Sequence, residues 1–341
     1  MTKSNRRIQS LQGLRAIAFI MILFNHMGVW SASGGIGVAI FFELSGFLML
    51  YNYSLKSRQL PSKIKDCIKF GYLKFRKLYI PYILTGIACF PHMIKACGWL
   101  ASLGTFVLYS ILLQSWVPIK DVAMGFNGVS WFISTQLLMY VMFPFIYRLI
   151  NKMFAKKENS TNKILVILLV LFFIRVIWRA IFTDWYWPYV FPIFRMLDFI
   201  SGCLVGVLYL QPEKKQNENL LLILISILTV VGVVEYRYVA IKMMVSGPIC
   251  LALIYLCAKD STIISKACTN SLLVYIGNLS MYTYLTHGVV IQYVDYFLGD
   301  HFTVLRWIAV ITLTWLSSEL LKKINNVGLK YIAQMGPNVT V

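Results

Sequence analysis

Charged residues are scarce in this chain of 341 residues, and acidic residues are the scarcest of them. Only 13% of the residues are charged, with 13 Asp and Glu against 32 Lys and Arg, whereas 59% are hydrophobic. With a mean hydropathy of +0.70, the composition lies outside the range of soluble globular domains. The net charge of +19 does not indicate nucleic-acid binding, because Lys and Arg gather between apolar runs. The chain is therefore predicted to be a polytopic membrane protein.

Paired cysteines and a serine nucleophile motif are absent as well. The seven cysteines are scattered and odd in number, and none forms a Cys-x-x-Cys pair, so neither a disulfide framework nor a metal site is predicted. The chain contains no Gly-x-Ser-x-Gly sequence, which excludes the nucleophile elbow of hydrolases. No internal repeat, Pro-rich linker or soluble domain is visible. Any catalytic chemistry is therefore expected from other polar residues within the apolar segments.

Apolar segments of membrane-spanning length follow one another along the sequence. A helix that crosses a bilayer needs about 20 such residues, and about ten segments qualify. They are Leu11–Val29, Gly34–Tyr53, Tyr79–Ala96, Val129–Ile150, Ile164–Phe182, Tyr189–Leu210, Leu220–Val234, Val239–Cys257, Leu272–Val294 and Val304–Leu321. A further apolar segment, Leu103–Trp116, is short, and counting it as a span would place the basic residues between 148 and 163 outside. We predict a re-entrant or interfacial helix there.

The basic loops define the orientation of these spans. Lys and Arg are abundant between residues 56 and 77 and in alternate loops thereafter, which predicts that these loops and both termini are cytoplasmic. The start of the chain resembles a signal peptide, but Arg15 within the apolar run favours a retained first helix. The predicted fold is all-α, a polytopic transmembrane helical bundle in the inner or plasma membrane. Residues 1–326 form the membrane domain, and residues 327–341 form a loose cytoplasmic tail.

Two polar residues lie within the first predicted span, where hydrocarbon tolerates them only at a cost in free energy. His26 follows Arg15 by eleven residues, which is ~16 Å along a helix. A buried imidazole stays neutral and can accept a proton from a hydroxyl group, which makes His26 the leading candidate for a general base. A helix-packing role is the alternative. Arg15 keeps its charge and requires an anion, such as the phosphates of a cytoplasmic ligand, unless it snorkels to the inner interface.

Other polar residues fall within the later predicted spans. Glu43 lies near the bilayer midplane, where it is either paired with a cation such as Arg15 or directly catalytic. Further polar side chains fall at an outer depth similar to that of His26, and they are Gln136, Arg175, Arg179, Arg195, Asp198 and His287. Such convergence predicts a partly hydrated cavity within the membrane.

Structural roles are the alternative for several of these residues. Arg195 with Asp198, or Arg175 with Asp184, would then form buried salt bridges that hold helices together. The glycines of the second span look like a nucleotide loop only superficially, and helix packing through small residues explains them better. They are Gly34, Gly35, Gly37 and Gly46.

The same residues carry a resemblance to a known family. The Arg15 and His26 pair, followed by the segment GVAIFFELSGF at residues 37–47, resembles the signature of the acyltransferase family 3 integral membrane proteins. Four later segments are similar to that family in order and spacing. They are KFRKLYIPY at residues 74–82, NGVSWFISTQLLMYVMFP at 127–144, FPIFRMLDFISGCLVG at 191–206 and IGNLSMYTYLTHGVV at 276–290.

The resemblance implies O-acyl transfer, commonly of an acetyl group, from an acyl-CoA on the cytoplasmic side to a hydroxyl on the outer side. The implied acceptor is a bacterial surface or exported polysaccharide or its lipid-linked precursor. The implied partners are acetyl-CoA, this carbohydrate, the lipid bilayer and polysaccharide-assembly proteins, with no bound cofactor, metal or nucleic acid.

The resemblance also assigns residues to these roles. The residues implied in catalysis are His26, Arg15 and Glu43, and those implied in donor binding are Lys74, Arg76 and Lys77. The residues that we predict to line the cavity or bind the acceptor, most of them from their depth in the spans, are Ser45, Trp131, Gln136, Arg175, Arg179, Arg195, Asp198 and His287.

Two positions depart from the family pattern. The family often carries Arg-x-x-Arg before the proline, whereas this chain has Lys74 and Lys77 at that spacing, with Arg76 between them. Lysine lacks the planar fork of arginine, so we expect the donor contact to be looser or shifted to Arg76. Many members carry a glutamate where this chain has Gln136, which leaves a proton-transfer role there in doubt. Some relatives add an extracytoplasmic hydrolase-like domain, which we do not expect in this chain.

Two other classes of function remain open from the sequence. A transporter or flippase for a glycan or lipid-linked saccharide would also use intramembrane charges, although no repeated half and no paired broken helices are visible. A structural partner in a polysaccharide-assembly complex would need neither Arg15 nor His26. Release of free coenzyme A distinguishes the enzyme from the transporter.

Overall fold

The computed structural model describes residues 8–30, 33–56, 60–154, 160–182, 186–211, 239–259, 262–299 and 303–334. Every regular element in these ranges is helical, which confirms the predicted all-α class. The α-helices are α1 (Gln9–His26), α2 (Ser33–Lys56), α3 (Ile64–Ala88), α4 (Phe90–Cys97), α5 (Trp99–Ser110), α6 (Lys120–Ala123), α7 (Trp131–Met153), α8 (Ser160–Ile181), α9 (Trp187–Val190), α10 (Pro192–Leu210), α11 (Val239–Ala258), α12 (Ile263–Cys268), α13 (Ser271–Leu298) and α14 (Thr303–Gln334).

Several of these helices are long and apolar enough to cross a membrane, as expected of a multi-pass membrane protein. Among the described residues there are 5 such helices, or 6 if the bent pair formed by α3 and α4 is one span. They are Ser33–Leu55, Trp131–Met153, Ser160–Trp178, Pro192–Leu210 and Thr303–Tyr331. The count of about ten therefore remains a prediction. One predicted span, Leu220–Val234, lies outside the described residues.

The third predicted span and the basic segment before it differ from expectation. The segment between residues 56 and 77 was expected to be a loop, but α3 already begins at Ile64 and runs through the lysines into the apolar part. Lys, Arg and Leu are good helix formers, so the helix continues where the hydrophobicity stops. The apolar segment does not form one straight span, because the axis bends by 47° between α3 and α4. Pro91 lies in the first turn of α4, where its fixed φ and missing N–H favour a new helix start.

The end of the described chain corrects a second expectation. Residues 327–341 were expected to form a loose tail, but α14 continues to Gln334. Residues 327–334 are therefore helical, and the boundary of the membrane domain at residue 326 remains a prediction. The short apolar helix α5 overlaps the segment predicted to be re-entrant or interfacial, and it ends before Leu112, whose φ of 64° turns the chain.

The chain divides into two compact units, and each is described by itself. Unit 1 contains Met1–Leu60, Pro144–Tyr189 and Ile193–Asn278, and unit 2 contains Pro61–Phe143, Val190–Pro192 and Leu279–Val341. In unit 1, α1 packs on α2, α11 and α12, and α11 also packs on α2 and α8. In unit 2, α14 packs on α3, and α4 packs on α5.

Glycines allow the helices of unit 1 to approach closely. A Cβ atom on Gly202 of α10 would overlap the backbone carbonyl of Glu43 on α2, and one on Gly46 of α2 would overlap the carbonyl of Phe199 on α10. Gly37 lies in the same way against a backbone carbonyl of α1. The interpretation of these second-span glycines as helix-packing residues is confirmed for Gly37 and Gly46.

We expect Gly202→Ala to destabilise the protein by about 2 kcal/mol or more, because the added methyl group meets a backbone atom that cannot move aside. The measurement is thermal unfolding of the purified protein in detergent. Gly104→Ala is the matched control, since a Cβ there meets nothing within 4 Å. It should be neutral or stabilising by up to about 1 kcal/mol, as for a solvent-facing helical glycine. Equal unfolding temperatures for the two variants would contradict the packing interpretation.

Candidate active site

Arg15 and His26 lie on one continuous helix of unit 1. His26 follows Arg15 by eleven positions, or about three turns of α1, so the two side chains share one face and lie ~16 Å apart along the axis. Arg15 is half-buried. His26 was expected to be buried, but it is the last residue of α1 and its side chain is exposed. The reason is local, because the chain leaves the helix at Met27 and turns at Gly28, which has a φ of 77°. The end of the helix therefore leaves part of His26 accessible.

Four charged side chains form a buried network in unit 1. Asp198 lies between two arginines, with its Oδ2 2.9 Å from Nη1 of Arg195 and its Oδ1 paired with Nη2 of Arg175. Nη1 of Arg175 is 4.0 Å from Oε1 of Glu43. Glu43 is fully buried, and the other three side chains are nearly so. Since two positive groups face two negative groups, the network can be neutral overall, as burial in a low dielectric requires.

The network settles several predicted pairings. The salt bridge between Arg195 and Asp198 is confirmed. Glu43 was expected to pair with a cation such as Arg15, and it does lie beside a cation, Arg175 on α8. Arg175 in turn pairs with Asp198, whereas Asp184 lies outside the described residues. The side chain of Arg179 lies outside them too.

Neighbouring groups hold the network in place. Nε of Arg195 donates to the carbonyl oxygen of Tyr189 at 2.6 Å, and its guanidinium lies 4.5 Å from the centre of the Tyr189 ring. Gly247 lets the backbone of α11 lie against the charges, because a Cβ there would be 3.4 Å from Oε1 of Glu43 and would collide with Arg175. Ser45 is half-buried and follows Glu43 by two residues, or about 200° around α2, so it does not face the network.

His287 occupies a buried polar region of unit 2. Its Nδ1 lies 2.7 Å from the carbonyl oxygen of Tyr284 and 3.2 Å from that of Thr283. Since a carbonyl oxygen can only accept, Nδ1 carries the hydrogen in the neutral ring, and Nε2 carries the lone pair. His287 is fully buried. The imidazole is therefore oriented by the backbone of α13 as a hydrogen-bond acceptor or proton acceptor.

A loop before α7 is fastened to α13 beside His287. The Tyr284 hydroxyl donates to the carbonyl oxygen of Val129 at 2.8 Å, and Nδ2 of Asn127 donates to that of Leu285 at 2.7 Å. Nε2 of Gln292 donates to the carbonyl oxygen of Phe126 at 3.0 Å. Part of this loop was visible in the sequence only as the start of the segment at 127–144, because uncharged residues in a polar turn show a role only through their partners.

Trp131 and Gln136 belong to the first turns of α7 in unit 2. Trp131 is buried against Phe132 at the start of the helix, with ring centres 6.4 Å apart. Gln136 is 1% exposed, and neither atom of its amide has a hydrogen-bond partner among the described residues. An amide buried in this way costs free energy unless a water or ligand bonds to it.

The three basic residues assigned to the donor lie on α3 in unit 2, and they do not share one face. Lys74 and Lys77 are one turn apart, whereas Arg76 follows Lys74 by about 200° around the helix. Lys74 and Arg76 are half-buried and Lys77 is exposed. Nζ of Lys74 lies 5.5 Å from the centre of the Phe70 ring. A ligand that binds the lysine pair would therefore not bind Arg76 from the same side.

Comparison with known proteins agrees with the motifs. Acyltransferase MdmB of Streptomyces mycarofaciens is 27% identical over 170 residues, which is 43% of this chain and 41% of that protein. O-acetyltransferase OatA of Staphylococcus aureus is 20% identical over 343 residues, which is 93% of this chain and 56% of that protein. The chain thus spans about half the length of the curated relatives it matches. No solved structure matches.

The family comparison covers most of the chain. The family described as the acyltransferase domain matches residues 8–321. This range contains all of the residues assigned above to catalysis, donor binding and the acceptor. The protein therefore belongs to acyltransferase family 3, the family that its motifs resemble.

Proposed function

We propose that this protein is a membrane O-acetyltransferase that moves an acetyl group from acetyl-CoA to a hydroxyl of a surface or exported polysaccharide, or of its lipid-linked precursor. The observation that carries the proposal is the placement of Arg15 and His26 on one face of α1, ~16 Å apart. Acetyl-CoA carries its phosphates at one end and its thioester at the other, joined by the pantetheine arm. A cation and a base separated along one helix suit such a donor.

The reaction assigns one task to each residue. His26 accepts the proton of the acceptor hydroxyl as the oxygen attacks the thioester carbonyl, so that the new C–O bond forms and the C–S bond breaks. The proton finally neutralises the leaving coenzyme A thiolate, which balances the reaction. Exposure of His26 supports this role, because a base must reach the substrate. Arg15 keeps its charge at any physiological pH and pairs with a phosphate of the donor.

In this proposal the remaining residues position helices or bind the donor and the acceptor. The network of Glu43, Arg175, Asp198 and Arg195 joins α2, α8 and α10, and α2 packs on the helix that carries the base. In unit 2, Lys74 and Lys77 contact donor phosphates as point charges, with Arg76 as a separate contact. Trp131, Gln136 and His287 contribute to acceptor binding. The proposal places the protein in the inner or plasma membrane with both termini cytoplasmic, where polysaccharide-assembly proteins supply the acceptor.

The test is acyl transfer by the purified protein in nanodiscs. The probes are acetyl-CoA and oligosaccharides cut by mild acid from the surface polysaccharide of the source bacterium lacking this gene. We expect free coenzyme A and glycan O-acetyl groups to form in equal amounts, measured with a thiol reagent and by mass spectrometry. In liposomes, glycan uptake without release of coenzyme A would instead identify a transporter. Absence of both activities, with intact O-acetylation in the deletion strain, would refute the enzyme.

A further inference from the structure

Two cysteines of unit 1 lie with their sulfur atoms in contact. Sγ of Cys257, in the last turn of α11, is 3.7 Å from Sγ of Cys268, the last residue of α12. Both are free thiols, and both residues are buried. Since the sulfurs of a disulfide are about 2.05 Å apart, these two must approach by about 1.7 Å to bond. Rotation of the two short side chains and a small shift of one helix end can supply that distance.

Cys268 lies directly beneath the surface of the unit. The helix α12 has only 6 residues, and the residues next to Cys268, at positions 266, 267, 269 and 270, are exposed. A short surface helix of this kind opens locally at a small cost in free energy, because few contacts hold it. A small oxidant can therefore reach Cys268, although the closed structure exposes only 3% of it.

Cys257 activates the thiol of Cys268. The Cys257 thiol donates a hydrogen bond to the Cys268 sulfur, and this bond lowers the pKa of Cys268 to about 7. A thiolate fraction is therefore present at neutral pH, and the thiolate is the form that peroxides oxidise. Cys268 belongs to a loop that is predicted to be cytoplasmic. Thiols in that compartment are kept reduced, so the dithiol is the resting form of the pair.

We propose that Cys257 and Cys268 form a redox-sensitive modification site, at which a peroxide such as hydrogen peroxide converts the two thiols to a disulfide. The Cys268 thiolate attacks one peroxide oxygen and becomes a sulfenic acid, and the other oxygen leaves as hydroxide and takes up the proton that Cys268 had lost. The Cys257 thiol then displaces the sulfenic oxygen, which leaves as a second water as the S–S bond forms. Two molecules of a small thiol reverse the change and become a disulfide themselves.

The two cysteines support the first turns of α1. The Ser10 hydroxyl donates to the carbonyl oxygen of Cys257 at 2.5 Å, and a Cβ on Gly13 would overlap the carbonyl oxygen of Cys268. Arg15 follows Gly13 by two residues. A disulfide that draws the ends of α11 and α12 together moves these carbonyl groups and so displaces the start of α1. Oxidation therefore weakens the binding of acetyl-CoA at Arg15, a consequence that rests on the proposed function, whereas the disulfide does not.

The test is peptide mapping of the protein in nanodiscs after treatment with hydrogen peroxide. Trypsin cleaves after Lys259 and Lys266, which places the two cysteines on separate peptides that a disulfide would join. The protein carries Cys97→Ser, because Cys97 is exposed and would react by itself. We expect the joined peptides as the main product, reversed by dithiothreitol. They should form several times faster than in protein unfolded in dodecyl sulfate, where the two thiols are no longer held together.

Serine substitutions separate this pair from the other thiols. Cys257→Ser and Cys268→Ser should each abolish the joined peptides. Cys203→Ser is the matched control, because the Cys203 thiol is buried in the same unit but donates to the carbonyl oxygen of Gly46 at 3.4 Å. It should form the joined peptides as readily as the parent protein. Oxidation of the parent should raise the KM for acetyl-CoA several-fold, and neither Cys257→Ser nor Cys268→Ser should show that rise.

The outcomes distinguish the modification site from the enzyme. If the joined peptides do not form, or form no faster than in the unfolded protein, the inference is wrong. If they form in a protein that neither releases coenzyme A nor acetylates glycan, the proposed function fails and the modification site stands. Joined peptides with an unchanged KM for acetyl-CoA would overturn the link to Arg15 and support the site alone.

Discussion

Replacing His26 by alanine is expected to lower the rate of acyl transfer by about 10²- to 10⁴-fold, the range typical of a lost general base. The acceptor hydroxyl then has no group to take its proton as it attacks the thioester. Because the side chain is exposed at the end of α1, its removal should change neither protein abundance nor unfolding temperature. The measurements are coenzyme A release by purified protein and O-acetyl content of the surface glycan in the complemented deletion strain.

His92→Ala is the control for this substitution. His92 is half-buried on α4, where its ring lies 5.8 Å from those of Tyr293 and Tyr296. Loss of these ring contacts should leave activity within about twofold. Wild-type glycan acetylation in the His26 variant, at equal protein abundance, would show that the proposed mechanism is wrong.

Replacing Asp198 by alanine is expected to have the largest effect on stability. Among the described residues, the substitution leaves two nearly buried guanidinium groups with Glu43, at 4.0 Å from Arg175, as the remaining carboxylate of the network. Breaking a buried ion pair by removing one partner costs roughly 3–5 kcal/mol, because the remaining charge stays buried. The measurement is the free energy of unfolding in mixed micelles, and Asp198→Asn should lose less because it keeps an acceptor for one arginine.

An exposed ion pair in unit 2 provides the matched control. Oδ1 of Asp295 lies 2.6 Å from Nε of Arg306, but the aspartate side chain is 41% exposed. Asp295→Ala should therefore cost no more than about 1 kcal/mol. If the two aspartate variants unfold at the same denaturant activity, the network does not hold α8 and α10 together.

The long apolar helices were predictable because hydrophobic length alone determines them. The all-α class and the spans that correspond to α2, α7, α8, α10 and α14 follow from composition and run length. The basic start of α3 was not predictable in this way. A prediction from hydrophobicity alone does not extend the helix into the lysine-rich segment. Backbone hydrogen bonding nevertheless continues through that segment, because its residues have good helix propensity.

The candidate site was predictable only where its partners are close in sequence. Arg195 and Asp198 are three residues apart on one helix, so their salt bridge follows from helical spacing. Glu43 and Arg175 meet across α2 and α8, and no local pattern distinguishes that pairing from one with Arg15. Asn127 was visible in the sequence only as the first residue of the segment at 127–144, and only the structure shows that its oxygen lacks a donor among the described residues.

The sequence by itself determined that this is an all-α membrane protein and that a cation and an imidazole lie on one face of α1. These properties depend on local periodicity and composition, which are complete within a single segment. Only the tertiary structure decided that His26 is exposed, which carboxylate each arginine meets and where Asn127 and His287 present their acceptors. Those outcomes depend on how close helices approach at residues such as Gly46 and Gly202, and that approach is fixed by surface fit between segments distant in the chain.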